Sequence, residues 1–297
     1  MAAPLLMLAL ALAHSDPDTS VRLPRGGAIE IESRNRDIVV RTGPTDMVII
    51  RGGSAELDGR TLQVSGDDRR NRGSGALDIT IPTWARVDVS SVSGNLTFTG
   101  APDRLHAETV NGFIHLTGGT GVVELESVAG PIVINDFRGS SLSVDATGGP
   151  VTVTNASGKI TVENVNSSVT LRGIRSNSVT ANTVNAGVEF EGPLAPDGRY
   201  DFSSQNSNVT LVLPGDVSAR MRISTMNGQL VSPQIPATVT GAPGGTQASD
   251  GGKGKSKDKG HDHGNDGEHG FTVVYGGGAA QVTIDVFNGD VIVKKKP

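Results

Sequence analysis

Apolar and polar residues alternate in paired short runs along most of this chain. In residues 105–109, LHAET, Leu105, Ala107 and Thr109 fall on one side of an extended strand, and His106 and Glu108 on the other. Beyond the Asn111-Gly112 pair, Ile114 and Leu116 alternate with His115 and Thr117. A period of two predicts a β-strand on each side of a corner. Asn-Gly is favoured where the backbone takes positive φ, so the pair predicts a tight turn. Val110 breaks the alternation, and a bend beside the corner would turn both Thr109 and Val110 inward.

The phrase recurs. Equivalent dipeptides stand at Ser93-Gly94, Asn111-Gly112, Ala129-Gly130, Gly148-Gly149, Asn166-Ser167, Asn185-Ala186, Asn206-Ser207 and Asn227-Gly228, with successive spacings of 18, 18, 19, 18, 19, 21 and 21 residues. Outlying copies stand at Asn288-Gly289 and at Asn35-Arg36, the latter flanked by Ile29, Ile31, Ile38 and Val40.

Three apolar columns run through these copies. One is Val87, Leu105, Val123, Leu142, Ile160, Val179, Tyr200, Met221 and Val282. The second is Leu96, Ile114, Ile132, Val151, Val169, Val188, Val209, Leu230 and Val291. The third is Phe98, Leu116, Ile134, Val153, Leu171, Phe190, Leu211 and Val293, with Ser232 departing from it.

A period near 20 residues predicts a stack of repeats. One unit alone buries too little apolar surface to offset the entropy of ordering its backbone, so the units must share their faces. The predicted fold is all-β. It is a single-domain β-solenoid, a right-handed parallel β-helix-like stack of 18–21-residue coils. An antiparallel sandwich is the competing architecture, but it does not require a repeat of constant length.

The pattern divides the chain. Residues 1–13 form an apolar run ending in Ala11-Leu12-Ala13, which predicts a signal peptide cleaved after Ala13, although no Lys or Arg precedes the run. Residues 20–80 hold strand-like runs in poorer register and are predicted to cap the stack; 81–235 are the regular coils. The Gly/Lys/Asp/His-rich stretch 236–270 predicts a disordered loop, and 271–297 a final coil with a basic tail. Lys294, Lys295 and Lys296 in that tail would blunt an exposed strand edge.

Composition narrows the function classes. Aromatic residues make up 3% of the chain, so the core is aliphatic. The net charge of −5, without a basic stripe, argues against a nucleic-acid partner. The absence of cysteine excludes disulfides, thiol chemistry and a lipid-modified cysteine. No second long apolar run predicts a transmembrane segment. The expected location is outside the cytoplasm: periplasm, cell surface or medium.

The phrases SSVSGNLTFTG, AETVNGFIHLTG and VFNGDVIVKK, with LDITIP before the first regular copy, resemble a bacterial family of exported β-solenoids of unknown function described as "putative adhesin". The resemblance covers residues 28–297 apart from the loop. It implies a non-enzymatic extracytoplasmic protein acting at the cell surface or in envelope stress. It supplies no catalytic residues.

One outward column carries charge. Glu108, Glu126, Asp145 and Glu163 occupy the same position in four consecutive copies, and Glu32 and Asp285 occupy it in outlying ones. Such a ladder suits Ca2+ or a cationic partner, because hard cations take oxygen ligands. Its plain alternative is a solvated acidic face. His261, His263 and His269, with acidic neighbours, are weaker candidates for Zn2+ or Ni2+. No cofactor is implied. Thr97 and Thr99, like Thr152 and Thr154, form outward pairs, but His115 and Val133 interrupt the row.

Some parallel β-helices are polysaccharide lyases or hydrolases, so an enzyme is the rival reading. This sequence offers no basic cluster beside the acidic column and no nucleophile motif. The expected role is therefore binding of a cell-surface polysaccharide or envelope protein, with a purely structural envelope protein as a further alternative.

Overall fold

The computed structural model describes residues 19–66, 75–232, 237–240 and 270–296. The predicted signal peptide, its cleavage after Ala13 and His261, His263 and His269 lie outside the described residues. Among the described residues there are 27 strands and no helix, hence none long and apolar enough to cross a membrane.

The first stretch gives β1 (Thr19–Arg22), β2 (Ala28–Ser33), β3 (Ile38–Gly43), β4 (Met47–Arg51), β5 (Ser54–Asp58), β6 (Thr61–Ser65) and β7 (Leu77–Pro82). The middle gives β8 (Arg86–Ser91), β9 (Leu96–Thr99), β10 (Arg104–Thr109), β11 (Ile114–Thr117), β12 (Val122–Ser127), β13 (Ile132–Asn135), β14 (Arg138–Ala146) and β15 (Val151–Thr154). It continues with β16 (Ser157–Asn164), β17 (Val169–Arg172), β18 (Ser178–Thr183), β19 (Val188–Glu191), β20 (Arg199–Ser204) and β21 (Val209–Leu213). The last stretch gives β22 (Ala219–Thr225), β23 (Leu230–Val231), β24 (Thr238–Thr240), β25 (Gly270–Tyr275), β26 (Ala280–Val286) and β27 (Val291–Lys295).

These strands form two large, mostly parallel sheets. From β8 to β21 the chain alternates between them: even-numbered strands enter the 14-stranded sheet and odd-numbered strands the 13-stranded one. The pairing follows the sequence columns. Val87 pairs Leu105, which pairs Val123, then Leu142, Ile160, Val179 and Tyr200. On the other sheet Leu96, Ile114, Ile132, Val151, Val169, Val188 and Val209 align in the same way. All of these side chains are buried, and they join one core between the sheets. Larger rings fill its wider part, with Phe190 5.9 Å from Tyr200 and 5.3 Å from Phe202 between centroids. Tyr200 is buried, yet its hydroxyl donates to the Ser176 carbonyl at 2.6 Å and accepts from the Ala195 amide at 2.7 Å.

At both ends sequence order and spatial order part. The strands β2 and β3 pair directly with β8 and β9, so β6 and β7 lie outside them. At the other end β26 and β27 are inserted between β20–β21 and β22–β23. Antiparallel strands close both ends: β1, β4 and β5 at one, β24 and β25 at the other.

Two expectations change here. Of residues 271–297, β25 stands at the end of its sheet outside β22, but β26 and β27 do not form the outermost unit. β27 runs between β21 and β23, which pairs with it at Val291 and Ile292, and Lys296 meets Glu191 at 2.9 Å. Residues 238–240, within the expected loop, form β24 against β25.

The corners also differ from expectation. Gly94, Gly112, Gly130 and Gly149 do not have positive φ. They are needed for close approach: a Cβ on Gly112 would lie 2.0 Å from the Gly94 carbonyl oxygen, and one on Gly130 1.8 Å from that of Gly112. Left-handed residues stand instead after the second strand of five successive units, at Gly100, Gly118, Asp136, Asn155 and Gly173. The amides of Gly100, Gly118, Asp136 and Asn155 each donate to the next unit's chain, as does that of Ile174 beside Gly173, which draws this second corner tight.

Candidate functional site

The outward residues of the 14-stranded sheet fall into rows by register. Glu108 pairs Glu126, Glu126 pairs Asp145, and Asp145 pairs Glu163. Ser90 continues this row toward one end, and Asn182 and Ser203 toward the other; Glu32 and Asp285 extend it beyond them. The four acidic residues singled out in the sequence are thus brought together, with backbones ~4.8 Å apart. None of the four takes a hydrogen bond or ion pair from another described residue. Partial burial raises the pKa of Asp145 above the ordinary carboxylate value, and repulsion from Glu163, Glu126 and Glu124 adds to the effect.

Next to this row lies an inward-facing polar one: Ser91, Thr109, Ser127, Asn164, Thr183 and Ser204, all buried. These groups hold the corners. The Gly94 amide donates to Ser91 Oγ at 3.0 Å, the Gly130 amide to Ser127 Oγ at 3.1 Å, and the Ser167 amide to Asn164 Oδ1 at 2.9 Å. Asparagine side chains tie the corners across units, from Asn166 through Asn185, Asn206 and Asn288 to Asn227, at 2.8–3.2 Å. This is stacking chemistry, and it leaves few free groups beneath the acidic row.

Then comes a row that the alternation misplaced. Val110 does not turn inward with Thr109; it is 41% exposed. The corner takes Thr109 under the sheet, where its hydroxyl donates to the Gly94 carbonyl of the preceding unit, and this leaves the following side chain pointing out. Val92, Val128 and Val165 stand in the same position, 42–52% exposed. Among the nine large exposed hydrophobic residues of the described chain, six occupy this one row once Met226 and Phe287 are included. The row is therefore a ledge and not scattered surface.

Between the acidic row and this ledge runs a groove of about 590 Å³. It crosses seven strands of the sheet, from Ser90 and Val92 at one end to Ser203 and Gln205 at the other. The sequence carried a signal for it, the residue before each corner dipeptide, which is Val in Val92, Val110, Val128, Val165 and Val184.

Metal chemistry gathers elsewhere than expected. Among the described residues, the one group of three whose ligand atoms all lie within 4.8 Å is His106, Glu124 and Glu126. His106 Nδ1 is buried without a hydrogen-bond partner, 3.7 Å from the Glu124 carboxylate. An imidazole beside two carboxylates suits Zn2+ better than Ca2+. The ladder of Glu108, Glu126, Asp145 and Glu163 does not converge on a point in this way. A basic row does share the face: Arg86, Arg104, Lys159 and Arg199 stand four residues before the acidic position, ~13 Å along the strands.

The 13-stranded sheet presents a different surface. Arg41 pairs Asp78, Arg172 pairs Glu189 at 3.1 Å, and His115 meets Thr117 at 3.2 Å. Arg41, Asp78, Arg172 and Glu189 are thus paired within the face.

No family model matches the chain, and no curated protein matches it. A solved structure, described as a putative cell adhesion protein from Clostridium sporogenes ATCC 15579, aligns with 94% of this chain and 100% of its own length. The identity is 7% and the TM-score 0.24, too low to carry an argument. The resemblance to exported adhesin-type proteins therefore rests on the repeat phrases themselves.

Proposed function

We propose that this chain is an exported, non-enzymatic binding protein of adhesin type, wound as a β-solenoid. Its recognition face is the outward surface of the 14-stranded sheet. The observation that carries this reading is the groove, a continuous concavity across seven strands with one charged and one apolar wall. A long surface of this kind suits an extended polymer or a protein segment more than a small molecule. Export is supported by the apolar run at residues 1–13.

The arrangement of the carboxylates favours binding over glycoside hydrolysis. Hydrolases place two carboxyl groups on either side of the scissile bond. Here the carboxylates stand side by side along one wall, and the facing wall, of valines with Thr147 and Gln205, holds no carboxylate. The basic row is too far along the strands to act with them on one bond.

The test is retention of the purified chain on isolated cell envelopes and on insoluble polysaccharides, with released reducing ends assayed in the same tubes. Retention without product is the expected result. Released sugar would replace this reading with an enzyme. Neither retention nor product would leave a structural role in the envelope.

A further inference from the structure

Taking the binding reading as its basis, we propose that the groove receives an extended cationic peptide segment of another protein. The segment lies across the strands, with basic side chains on the carboxylate wall and apolar side chains on the valine ledge.

The shape argues for an extended chain. The two walls are two residues apart on each strand, so their Cα atoms are ~6.7 Å apart. That width takes one extended backbone and excludes a helix, whose diameter with side chains is ~10–12 Å. The groove crosses seven strands, or six spacings. At ~4.8 Å each this is ~29 Å, the length of eight or nine extended residues at ~3.3–3.4 Å per residue.

The chemistry of the walls argues for an alternating sequence. An extended peptide sends successive side chains to opposite sides. The groove offers carboxylates on one side, at Glu108, Glu126 and Glu163, and exposed valines on the other, at Val110, Val128 and Val165. The floor adds little selection, because Ser91, Ser127 and Asn164 already bond the corner backbone. Charge complementarity fixes the sign. Glu108, Glu126, Asp145 and Glu163 have no Lys or Arg partner among the described residues, and as like charges they repel one another; basic side chains supply the missing countercharge. Pairing at a sheet edge is a different mode, since the free edges of these sheets lie at the ends of the stack and not along this face.

The experiment is fluorescence polarisation with the full chain and a fluorescein-labelled octapeptide, (Lys-Val)4. Octalysine, (Glu-Val)4 and a glucosamine octamer serve as competitors. Saturable binding of (Lys-Val)4 is expected, competed weakly by octalysine and not by (Glu-Val)4. The triple variant E108Q/E126Q/E163Q is expected to lower affinity about tenfold or more. V110S/V128S/V165S should lower it by a similar factor through loss of the ledge. Melting curves verify that each variant is folded, and the single charge reversal E126K gives an independent reading on a chain with one change.

Unchanged affinity in the folded variants would overturn the proposal. So would octalysine or the glucosamine octamer competing as well as the alternating peptide, since charge alone would then suffice. No binding of (Lys-Val)4 by a chain that envelopes retain would overturn the peptide while sparing the binding function. Groove-dependent peptide binding by a chain that envelopes do not retain would do the reverse.

Discussion

The two outer faces of this molecule are built from the same repeating unit, yet they treat charge in opposite ways. On the 13-stranded sheet, opposite charges meet on neighbouring strands: Arg41 with Asp78, Arg172 with Glu189. On the 14-stranded sheet, like charges meet: Glu108 with Glu126, Asp145 with Glu163. Cross-strand pairs of the first kind stabilise a sheet and pairs of the second kind destabilise it, each by ~0.2–1 kcal/mol. A face whose groups are paired internally has little left for a partner. The other face keeps Glu108, Glu126, Asp145 and Glu163 unpaired at a cost in stability, and it places the exposed valine ledge beside them.

The largest effects come from changes that abolish both faces together. Ile132→Asp puts a charge into the shared core, where Ile132 is fully buried, and is expected to eliminate the cooperative melt by circular dichroism. A cooperative transition at the wild-type temperature would contradict the assignment of Ile132 to the core. Gly112→Ala drives a Cβ against the Gly94 carbonyl and should cost about 3 kcal/mol or more in a denaturant titration. A loss under about 1 kcal/mol would mean that the corner is looser than described.

Smaller changes separate the faces. The same substitution should have opposite signs on the two sheets. Glu189→Gln loses the ion pair with Arg172 and is expected to lower stability by about 0.5 kcal/mol. Glu126→Gln removes a neighbour that repels Glu108 and Asp145 and is expected to raise stability by a similar amount. Equal signs in paired thermal melts would erase the contrast.

The smallest effect is a pH dependence. The raised pKa of Asp145 means that the folded state binds its proton more tightly than the unfolded chain does. The resulting penalty is fully present above the folded pKa, falls as pH drops through it, and is gone below the ordinary value of 3.8. Asp145→Asn should therefore stabilise the protein at neutral pH, with the advantage shrinking toward acid. An advantage that is constant across pH would assign it to packing.

The alternation of apolar and polar residues was enough to identify the strands, the buried columns and the acidic row, because a period of two maps directly onto the two sides of a sheet. It failed at the corners. Val110 follows Thr109, and apolar character alone favours burying both. What decides is the backbone: the Thr109 hydroxyl bonds the Gly94 carbonyl, and the chain turns before Val110 can follow it inward. The corner glycines were misread for a related reason. A repeat spacing cannot separate a left-handed turn from a close approach between units, and only the stacked coordinates show which corner is which. The order of units at the ends was not legible either, since columns record what fits side by side and not the sequence in which the chain fills the places.

That order has a consequence for assembly during synthesis. The unit formed by β26 and β27 is made after both of the units between which it lies, β20–β21 and β22–β23. A chain emerging from the ribosome can add β8 to β21 one layer at a time. It cannot close that end the same way, because β22 and β23 find their parallel neighbours only when residues 280–295 arrive. This late unit acts as a keystone: the layers on both sides are held apart from their final contacts until it enters, and once in place β26 is gripped along both edges and β27 along one edge and the start of the other.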